Sequence, residues 1–389
     1  MLGLGRLGHR VDIFSLMAPR TPAGSTEATE LAANATYGRL LSMSTLRSNV
    51  QFLAGSPAAY LSAVLGLTAL TWREPRAFLL SLALFPRMVH FANEIRARRT
   101  DLIHANFVWL EAVAADVASR LTGIPYSIRP HAFGLFGRNR SLVRRQLERA
   151  DKIVTVSNFH REYIAELSPT LASRAVEVIH CAVDTSDWAS MTRPSRAPFS
   201  ILSIGRPIPK KGLEHLLEAC QVLRSRSGDF RCTIVAGESK LAQRLMERAT
   251  ELDLDDVLTF APRISQDEVR ELMAGADAFV LPCVVAPNGD RDGIPVVLME
   301  AMATELPVVS TAVSGIPELV IDGVTGLVVP ERNAEELAEA LERLMDDPDL
   351  RRELGKRGRQ HVIAEFQDDQ TVRELAAAMA EAANATNGS

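Results

Sequence analysis

The stretch DGIPVVLMEAMATELPVVS, residues 292–310, places the carboxylate of Glu300 in the middle of an otherwise almost wholly apolar run. Pro295 suits the first turn of a helix, where its missing N–H costs nothing, and residues 296–303 are predicted to form that helix. A helix that is apolar on nearly every side is expected to be buried, and a buried carboxylate without a partner is costly. The sequence therefore requires a partner for Glu300, and it places a second acid, Asp292, eight residues upstream.

The second half of the chain alternates short β-branched runs with segments of helical periodicity. Such alternation with short loops predicts a parallel, doubly wound α/β sheet, whose ligands bind beyond the carboxyl ends of its strands. The predicted strands are 199–204, 231–236, 257–260, 278–281, 307–311 and 326–329, and the predicted helices are 213–225, 241–252, 265–276, 296–303 and 333–345.

The first half repeats this scheme less regularly, so the fold class is α/β with two Rossmann-like, doubly wound parallel-sheet domains facing across a cleft. Its predicted strands are 11–16, 101–104, 125–129, 152–157 and 176–180, with two long helical segments across 50–99. The predicted organisation is an N-terminal domain 1–191, a Pro/Ser/Arg-rich linker 192–200, a C-terminal domain 201–360, and a segment 361–389 in which a helix crosses back to the first domain before a disordered tail.

The composition is that of an ordinary globular enzyme, with 47% hydrophobic and 23% charged residues in a chain of 389. Residues 1–190 carry 21 Lys and Arg against 15 Asp and Glu, whereas the remainder carries 22 against 33. This asymmetry argues against nucleic-acid binding by the whole protein and permits an anionic or membrane-associated partner at the first domain. Four cysteines without metal-binding spacing, and a first segment unlike a signal peptide, favour a cytoplasmic location.

Three stretches of the first half have two interpretations each. GLGRLG, residues 3–8, satisfies the dinucleotide pattern but lacks a preceding strand, so we expect the end of a helix there. The apolar stretch 58–72 is too short to span a bilayer and is either a core helix or a helix that lies on a membrane. The basic segment 137–152 is either a solvated helix face or a surface for anionic lipid or a polyprenyl diphosphate.

An anion site is predicted in SIGRPIPKKG, residues 203–212, where a strand ends at Gly205 and is followed by Arg206, Lys210 and Lys211 before the next helix. Free amides at a helix N-terminus, together with fixed cations, suit a phosphate group. The order of residues is not that of a Walker loop. The alternative is that these cations are solvated surface charges.

The opening stretch fits the same chemistry, because Gly293 allows close approach of the backbone and the helix after Pro295 directs N–H groups outward. Two helix N-termini, predicted to follow the first and fifth strands of one sheet, would hold a diphosphate between them. Asp292 would face the group on the far phosphate, and Glu300 would accept hydrogen bonds from a vicinal diol such as a ribose. Alternatively, Asp292 favours the helix dipole and Glu300 pairs with a core residue.

With these motifs in order, the chain resembles the family 4 retaining glycosyltransferases of the GT-B fold, in the exopolysaccharide or colanic-acid-type subgroup. DGIPVVLMEAMATELPVV matches the family's signature of an acid, seven residues and a glutamate, here Asp292 and Glu300. Arg206 and Lys211-Gly212 match its Arg and Lys-Gly pair. The other matching segments are IHANF (103–107), RPHAFGLF (129–136), VSNFHREYI (156–164), VIHCAVD (178–184) and SGIPELVIDGVTGLVVP (314–330).

The resemblance implies a role for each matched residue. Arg206 and Lys211 would bind the donor's diphosphate and stabilise the leaving nucleotide without a metal, Asp292 would bind sugar hydroxyls, and His131 would meet the sugar near the reacting carbon. These four, His131, Arg206, Lys211 and Asp292, are the predicted catalytic residues. The predicted donor-binding residues are Gly205, Arg206, Lys211, Gly237, Glu238, Arg263, Ile264, Asp292, Gly293, Ile294, Pro295, Val296, Val297 and Glu300.

Four departures from the family pattern are evident. Asp292 replaces the usual glutamate and shortens the reach to the sugar; Glu305 stands where a glycine usually ends the helix, so that helix end is expected to be altered. Gly134 stands where relatives often carry an acid. The chain also lacks the strand and glycine-rich loop that open the family before GHRV, residues 8–11, which implies either an upstream start or a sheet with one strand fewer.

The predicted function is therefore metal-independent transfer of a hexose-type sugar from a nucleoside-diphosphate sugar to a glycan or lipid-linked acceptor, with no cofactor. The DRD sequence, residues 290–292, fits the DxD metal pattern but also occurs by chance in acidic chains. Alternatives are a nucleotide-sugar epimerase or hydrolase of the same architecture, a non-catalytic donor-binding subunit, and a Rossmann oxidoreductase. The expected location is cytoplasmic, with peripheral contact to the inner face of the membrane.

Overall fold

The computed structural model describes residues 2–17, 26–38, 42–188, 198–226 and 228–384, with the side chains of 26–28 left aside. Its strands are β1 Phe14–Ser15, β2 Thr36–Tyr37, β3 Ile103–Ala105, β4 Tyr126–Ile128, β5 Lys152–Thr155, β6 Val176–Val178, β7 Phe199–Ile204, β8 Phe230–Val235, β9 Leu258–Ala261, β10 Ala278–Leu281, β11 Val308–Thr311 and β12 Leu327–Val329. Its helices are α1 Leu2–Arg6, α2 Thr26–Ala33, α3 Met43–Gly55, α4 Pro57–Thr71, α5 Pro75–Ala97, α6 Leu110–Thr122, α7 Ala132–Phe136, α8 Arg140–Arg149, α9 Asn158–Ala165, α10 Pro169–Ala172, α11 Leu213–Ser225, α12 Lys240–Glu251, α13 Gln266–Gly275, α14 Val296–Ala303, α15 Ile316–Leu319, α16 Ala334–Asp346, α17 Pro348–Glu365 and α18 Asp368–Asn384.

The chain forms two compact units. The first comprises Met1–Val156, His160–Ile179 and the chain from Val372 onward, and the second comprises Ser157–Phe159 and His180–Thr371. The predicted linker up to residue 197 and the predicted disordered tail at 385–389 lie outside the described residues.

The second unit contains a six-stranded parallel sheet in the order β12-β11-β10-β7-β8-β9. Counted along the chain, the order is the doubly wound one in which strand order reverses between the first and fourth strands, β7 and β10. These two strands pair directly, with Ala278 opposite Ile201 and Phe279 opposite Leu202. The loops that follow β7 and β10 therefore leave the sheet side by side, at the point where such sheets bind ligands.

The predicted helix at 296–303 is confirmed as α14, which begins after Pro295 and packs on β10 and β11. Leu298, Met299, Ala301 and Met302 are fully buried in the core beneath it. Its predicted position after the fifth strand is wrong, because α14 follows β10, the fourth strand of this sheet. The correction places its N-terminus next to the loop after β7.

Glu305, which follows the end of α14, adopts the left-handed backbone conformation although it is not a glycine. Glu305 has φ +60°, and the amides of Glu305 and Leu306 donate to the carbonyls of Met302 and Ala301. The expectation that this helix end is altered is therefore wrong. Gly355 on α17 allows the close approach, since a Cβ there would lie 2.1 Å from the carbonyl oxygen of Glu305.

The first unit contains a four-stranded parallel sheet in the order β3-β4-β5-β6. The strand predicted at 11–16 is confined to Phe14–Ser15, which pairs with Thr36–Tyr37 in a separate two-stranded sheet. The two helical segments predicted across 50–99 are three helices, α3 to α5. Ala378 of α18 packs against Val154 and Ile179 of this unit.

GLGRLG lies at the end of α1, as expected, and Gly8 turns the chain with φ +85°. In the part of the chain that the structure describes, no single helix is long and apolar enough to span a membrane, although α3 and α4, bent by 113°, meet the length and composition criteria as a pair.

Candidate functional site

The turn after β7 carries the predicted cations to the carboxyl edge of the sheet. Pro209–Lys211 forms one 3₁₀ turn, and Gly212 follows with φ +64° before α11 begins. A Cβ on Gly212 would lie 1.9 Å from the carbonyl oxygen of Pro282, just after β10. This position requires glycine both for its φ and for the close contact, which fixes the turn after β7 against the chain leaving β10.

Lys210 belongs to the predicted anion site but is not among the predicted catalytic or donor-binding residues. Its residue surface is 4% exposed, and its Nζ lies 3.1 Å from Oδ1 of Asp290 and 3.4 Å from Oδ1 of Asp292. From the sequence alone, two adjacent lysines are both expected to be solvated surface charges. In a 3₁₀ turn, however, the side chains of successive residues point about 120° apart. That geometry directs Lys210 into the loop after β10.

Lys211 and Asp292 form a close ion pair, with Nζ 2.7 Å from Oδ2, and both side chains are largely buried. Burial alone would raise the pKa of Asp292, but Lys211 and then Lys210 outweigh it, so the pKa lies below its ordinary value. Asp292 is therefore ionised at neutral pH. The structure thus brings together two predicted catalytic residues and adds a second lysine.

The loop that carries Asp290 and Asp292 is held from β12 by Glu331, whose Oε2 accepts a hydrogen bond of 2.7 Å from the amide of Val285. Arg332 donates to the carbonyl oxygen of Val285. No sequence motif pointed to this pair, because the contact joins segments 46 residues apart.

The segment leading into α14 is largely buried, and its first amides point out of the helix. Gly293, Ile294 and Pro295 are buried, whereas Val296 is exposed and Val297 half-buried. The first N–H groups of a helix have no intrahelical acceptor, so the amides of Val296 and Val297 are available to an anion. Ile294 rests against Gly315, where a Cβ would come within 2.9 Å of it.

Glu300 is half-buried and accepts a hydrogen bond of 3.4 Å from Nε2 of Gln266 on α13. This distance lies beyond the usual range for such bonds. Burial raises the pKa of Glu300, and Gln266 and Arg270 only partly offset that effect. The carboxylate has a weak protein partner, which leaves it capacity for the predicted diol.

The remaining predicted donor residues follow neighbouring strands of the same sheet. Gly237 and Glu238 come after β8, and Arg263 and Ile264 come after β9. Gly237 has φ +68° and lies against Arg263. A Cβ built on this glycine would be 3.8 Å from the Cβ of Arg263.

The turn directly after β7 supplies two further predicted donor residues. A Cβ on Gly205 would lie 3.5 Å from Cδ of Lys211. Arg206 is exposed, and within the described residues its side chain has no hydrogen bond or ion pair.

His131 belongs to the first unit, where it follows β4 and precedes α7. Its Nε2 is buried without a hydrogen-bond partner among the described residues, and its ring lies 5.1 Å from that of Phe107. Burial, with Arg129 nearby, lowers the pKa of His131 to about 4. The imidazole is therefore neutral at pH 7 and can donate or accept one hydrogen bond.

Two family models match adjoining parts of the chain. "Glycosyltransferase Family 4" matches residues 2–187, and "Glycosyl transferases group 1" matches residues 191–361. The chain belongs to the family 4 glycosyltransferases. Its parallel sheets with flanking helices agree with the GT-B fold of that family.

Among curated relatives, this family 4 glycosyltransferase is 44% identical over 147 residues to the amylovoran biosynthesis glycosyltransferase AmsK of Erwinia amylovora, an alignment covering 38% of this chain and 36% of AmsK. The chain spans less than half the length of the curated relatives that it matches at 38% to 44% identity. It is 29% identical to the GDP-mannose-dependent alpha-(1-6)-phosphatidylinositol monomannoside mannosyltransferase of Mycobacterium tuberculosis, over 73% of this chain and 78% of that enzyme.

Among solved structures, a glycosyltransferase from Rickettsia africae shares the fold with a TM-score of 0.69 at 19% identity, covering 97% of this chain and 92% of that one. At this identity the likeness concerns the fold alone.

One departure from the family pattern now has a physical reason. A Cβ on Gly134 would lie 2.5 Å from Cγ2 of Val108, so a family 4 glycosyltransferase with this loop packing has no room for an acid there. In the described residues, no group of three or more His, Cys, Asp or Glu side chains could hold a metal ion, and both acids of the DRD sequence are engaged with Lys210.

Proposed function

We propose that this family 4 glycosyltransferase moves a hexose-type sugar from a nucleoside-diphosphate sugar to a glycan or lipid-linked acceptor, with retention and without a metal. The observation that carries the proposal is the meeting of Lys211, Asp292 and the N-terminus of α14 at the strand-order reversal of one sheet. Cations and free amides beside an ionised acid are the groups that a diphosphate and a sugar need.

The proposed roles follow from these positions. The diphosphate binds Lys211, Arg206 and the amides of Val296 and Val297, and its developing charge is stabilised when the sugar leaves. Asp292 accepts hydrogen bonds from sugar hydroxyls, and Glu300 accepts them from the ribose.

The nucleotide base is proposed to lie by the turns after β8 and β9. Gly237, Glu238, Arg263 and Ile264 border it there. The proposed role of His131, a hydrogen bond to the sugar, suits its neutral imidazole.

Metal independence is proposed because the lysines supply the positive charge that a divalent cation supplies elsewhere. Lys210 already compensates Asp290 and Asp292, the acids that would otherwise bind such an ion. If this is right, excess EDTA leaves turnover unchanged, and a steep loss on chelation would contradict the proposal.

Polysaccharide biosynthesis is the proposed setting, supported by the likeness to AmsK. A lipid-linked acceptor and a peripheral position at the cytoplasmic face of the membrane are proposed from the surface of α3 to α5. Leu61, Leu65, Trp72 and Leu79 are each more than half exposed there. A groove of about 470 Å³ on α4 is lined by Leu61, Leu65, Arg120 and Arg149, which suits an anionic lipid.

The test is a panel of uridine, guanosine and adenosine diphosphate sugars, each titrated calorimetrically and then incubated with candidate acceptors. A product one hexose heavier by mass, made by the wild type and by the surface control Lys356→Ala but strongly reduced in Lys211→Ala, supports the proposal. Release of free nucleotide without any acceptor product would favour an epimerase or hydrolase. Donor binding without turnover would favour a non-catalytic subunit.

A further inference from the structure

The loop after β3 in the first unit contains a backbone conformation that is strained for a side-chain-bearing residue. Trp109 has φ +121° and ψ −125°. The side chain of Gln146, itself 1% exposed, holds this residue on both sides. Its Oε1 accepts from the amide of Trp109 at 3.0 Å, and its Nε2 donates to the Trp109 carbonyl oxygen at 2.6 Å. Strained residues held in this way occur mainly at functional sites.

The held Trp109 is part of a layered cluster of rings. The guanidinium carbon of Arg138 lies 3.9 Å from the centroid of the Trp109 ring and 4.9 Å from that of Phe133. Nε of Arg138 is buried and, among the described residues, makes no hydrogen bond. Arg138 is thus fixed by the two rings rather than by an ion pair at Nε.

Two further contacts place this cluster beside His131. Phe107 lies against His131, and Phe133 follows His131 by two residues on α7. Gly134 lets α7 approach Val108 closely, so that the β3 loop and α7 form one packed layer. We call Phe107, Trp109, Phe133 and Arg138 the aromatic platform.

Two rings of the aromatic platform face solvent. Phe107 is 40% exposed and Phe133 57% exposed. Exposed aromatic rings on a rigid support are typical of binding surfaces rather than of cores.

We propose that the aromatic platform binds a pyranose ring of the acceptor. This inference rests on the proposed function and names the acceptor class that the first unit recognises. The axial C–H face of a pyranose is apolar and slightly positive, so it fits the negative face of an aromatic ring. Arg138 and His131 supply hydrogen-bond donors for the ring's hydroxyl groups.

A lipid chain is a poorer occupant of this surface. Exposed aliphatic side chains, which suit a lipid chain, lie on α3 to α5, whereas the platform offers flat rings separated by a guanidinium and an imidazole. Such alternation of ring faces and polar donors matches a sugar, whose C–H faces alternate with hydroxyl edges.

The test uses the whole chain and saturation-transfer NMR with methyl α- and β-pyranosides of glucose, galactose, mannose and glucuronic acid as probes. The variants are Phe107→Ala and Phe133→Ala, with Phe107→Tyr as the conservative replacement. Tyr37→Ala removes another exposed aromatic side chain of the first unit, on β2, and is the control.

In the wild type we expect transfer to the axial protons of at least one pyranoside, weakened about two- to tenfold in each alanine variant. Phe107→Tyr and Tyr37→Ala should keep it. The proposal is overturned if no probe receives saturation from the wild type, or if both alanine variants keep the full signal. Calorimetric titration of the wild type with the donor panel separates the proposed function from the proposed acceptor site. If no donor binds, the proposed function is contradicted, whereas the pyranoside result can still be interpreted.

Discussion

The ammonium group of Lys211 lies 2.7 Å from the carboxylate of Asp292, at the edge where a donor's diphosphate is proposed to bind. The carboxylate of Asp292 is therefore already paired with the ammonium group that a phosphate of the donor would bind. A donor sugar offers hydroxyl groups that can replace Lys211 as partners of Asp292, whereas a nucleoside diphosphate without a sugar leaves Asp292 beside a second anion. This pair would favour the loaded donor and help to expel the nucleotide product.

Asp292→Asn is consequently expected to tighten the binding of free nucleoside diphosphates, because it removes a competing anion and keeps the shape of the side chain. We expect a dissociation constant lower by about tenfold, the effect of about 1.4 kcal/mol, in titrations with uridine, guanosine and adenosine diphosphate. Asp346→Asn, on the exposed end of α16, is the control. An unchanged or weaker affinity in Asp292→Asn would contradict the competition.

Lys210 is expected to matter for stability more than its position in a turn suggests. Its side chain is 5% exposed, and its removal leaves Asp290 and Asp292 with one fewer cation. Lys210→Met should lower the free energy of unfolding by about 3 kcal/mol, since an unpaired buried charge is more costly than a lost pair. Urea denaturation measures the change.

The double variant Lys210→Met/Asp290→Asn should recover part of that loss, because it neutralises Asp290, which has lost its lysine, whereas Asp292 keeps its ion pair with Lys211. Arg248→Met, which breaks a surface pair with Glu251, is the comparison and should cost less than about 1 kcal/mol. Equal losses in both single variants would show that Lys210 is solvated.

The sequence predicted those features that depend on local pattern. The helix at 213–225 is confirmed residue for residue as α11, and α14 begins and ends where Pro295 and the apolar run indicated. Lys211, Asp292 and the start of α14 meet at one edge, as the doubly wound order implies.

The features that were missed depend on contacts between distant segments. Lys210 is buried because the loop after β10 folds over it, and Trp109 is strained because Gln146, 37 residues away, holds it. The position of α14 was assigned to the fifth strand by a miscount, since the strand predicted at 278–281, which precedes this helix, is the fourth of its sheet along the chain.

Donor binding is expected to weaken on mild acidification because of Glu300. Burial raises the pKa of this carboxyl group, so it becomes protonated at a higher pH than an exposed glutamate and then accepts hydrogen bonds from the ribose less well. Calorimetric titration of a donor between pH 7.5 and 5 measures the effect. Glu300→Gln should bind more weakly at pH 7.5 and show a flatter profile, whereas an equally steep profile would assign the titration to another group.

The ionised carboxylate of Glu318 is expected to stabilise the folded second unit at pH values above the pKa of this group. Its carboxylate accepts hydrogen bonds from the amides of Asn158 and Phe159, at 2.9 and 3.0 Å, and lies 3.1 Å from Nε2 of His180. Burial would raise the pKa of Glu318, but these partners lower it to about 2. Because the folded pKa is depressed, the stabilisation is present above the unfolded pKa and is lost as pH falls towards 2.

Glu318→Gln should therefore unfold more easily at pH 7, by about 1–2 kcal/mol after allowance for solvent screening. The difference from the wild type should shrink as pH falls from about 4.5 through 2, because Glu318 becomes protonated in the unfolded and then in the folded protein and loses the charge that Gln lacks. Urea denaturation at several pH values tests both statements, with the exposed Glu353→Gln on α17 as the control for a lost surface charge. A deficit that stays constant down to pH 2.5 would mean that shape, not charge, accounts for the contribution of Glu318.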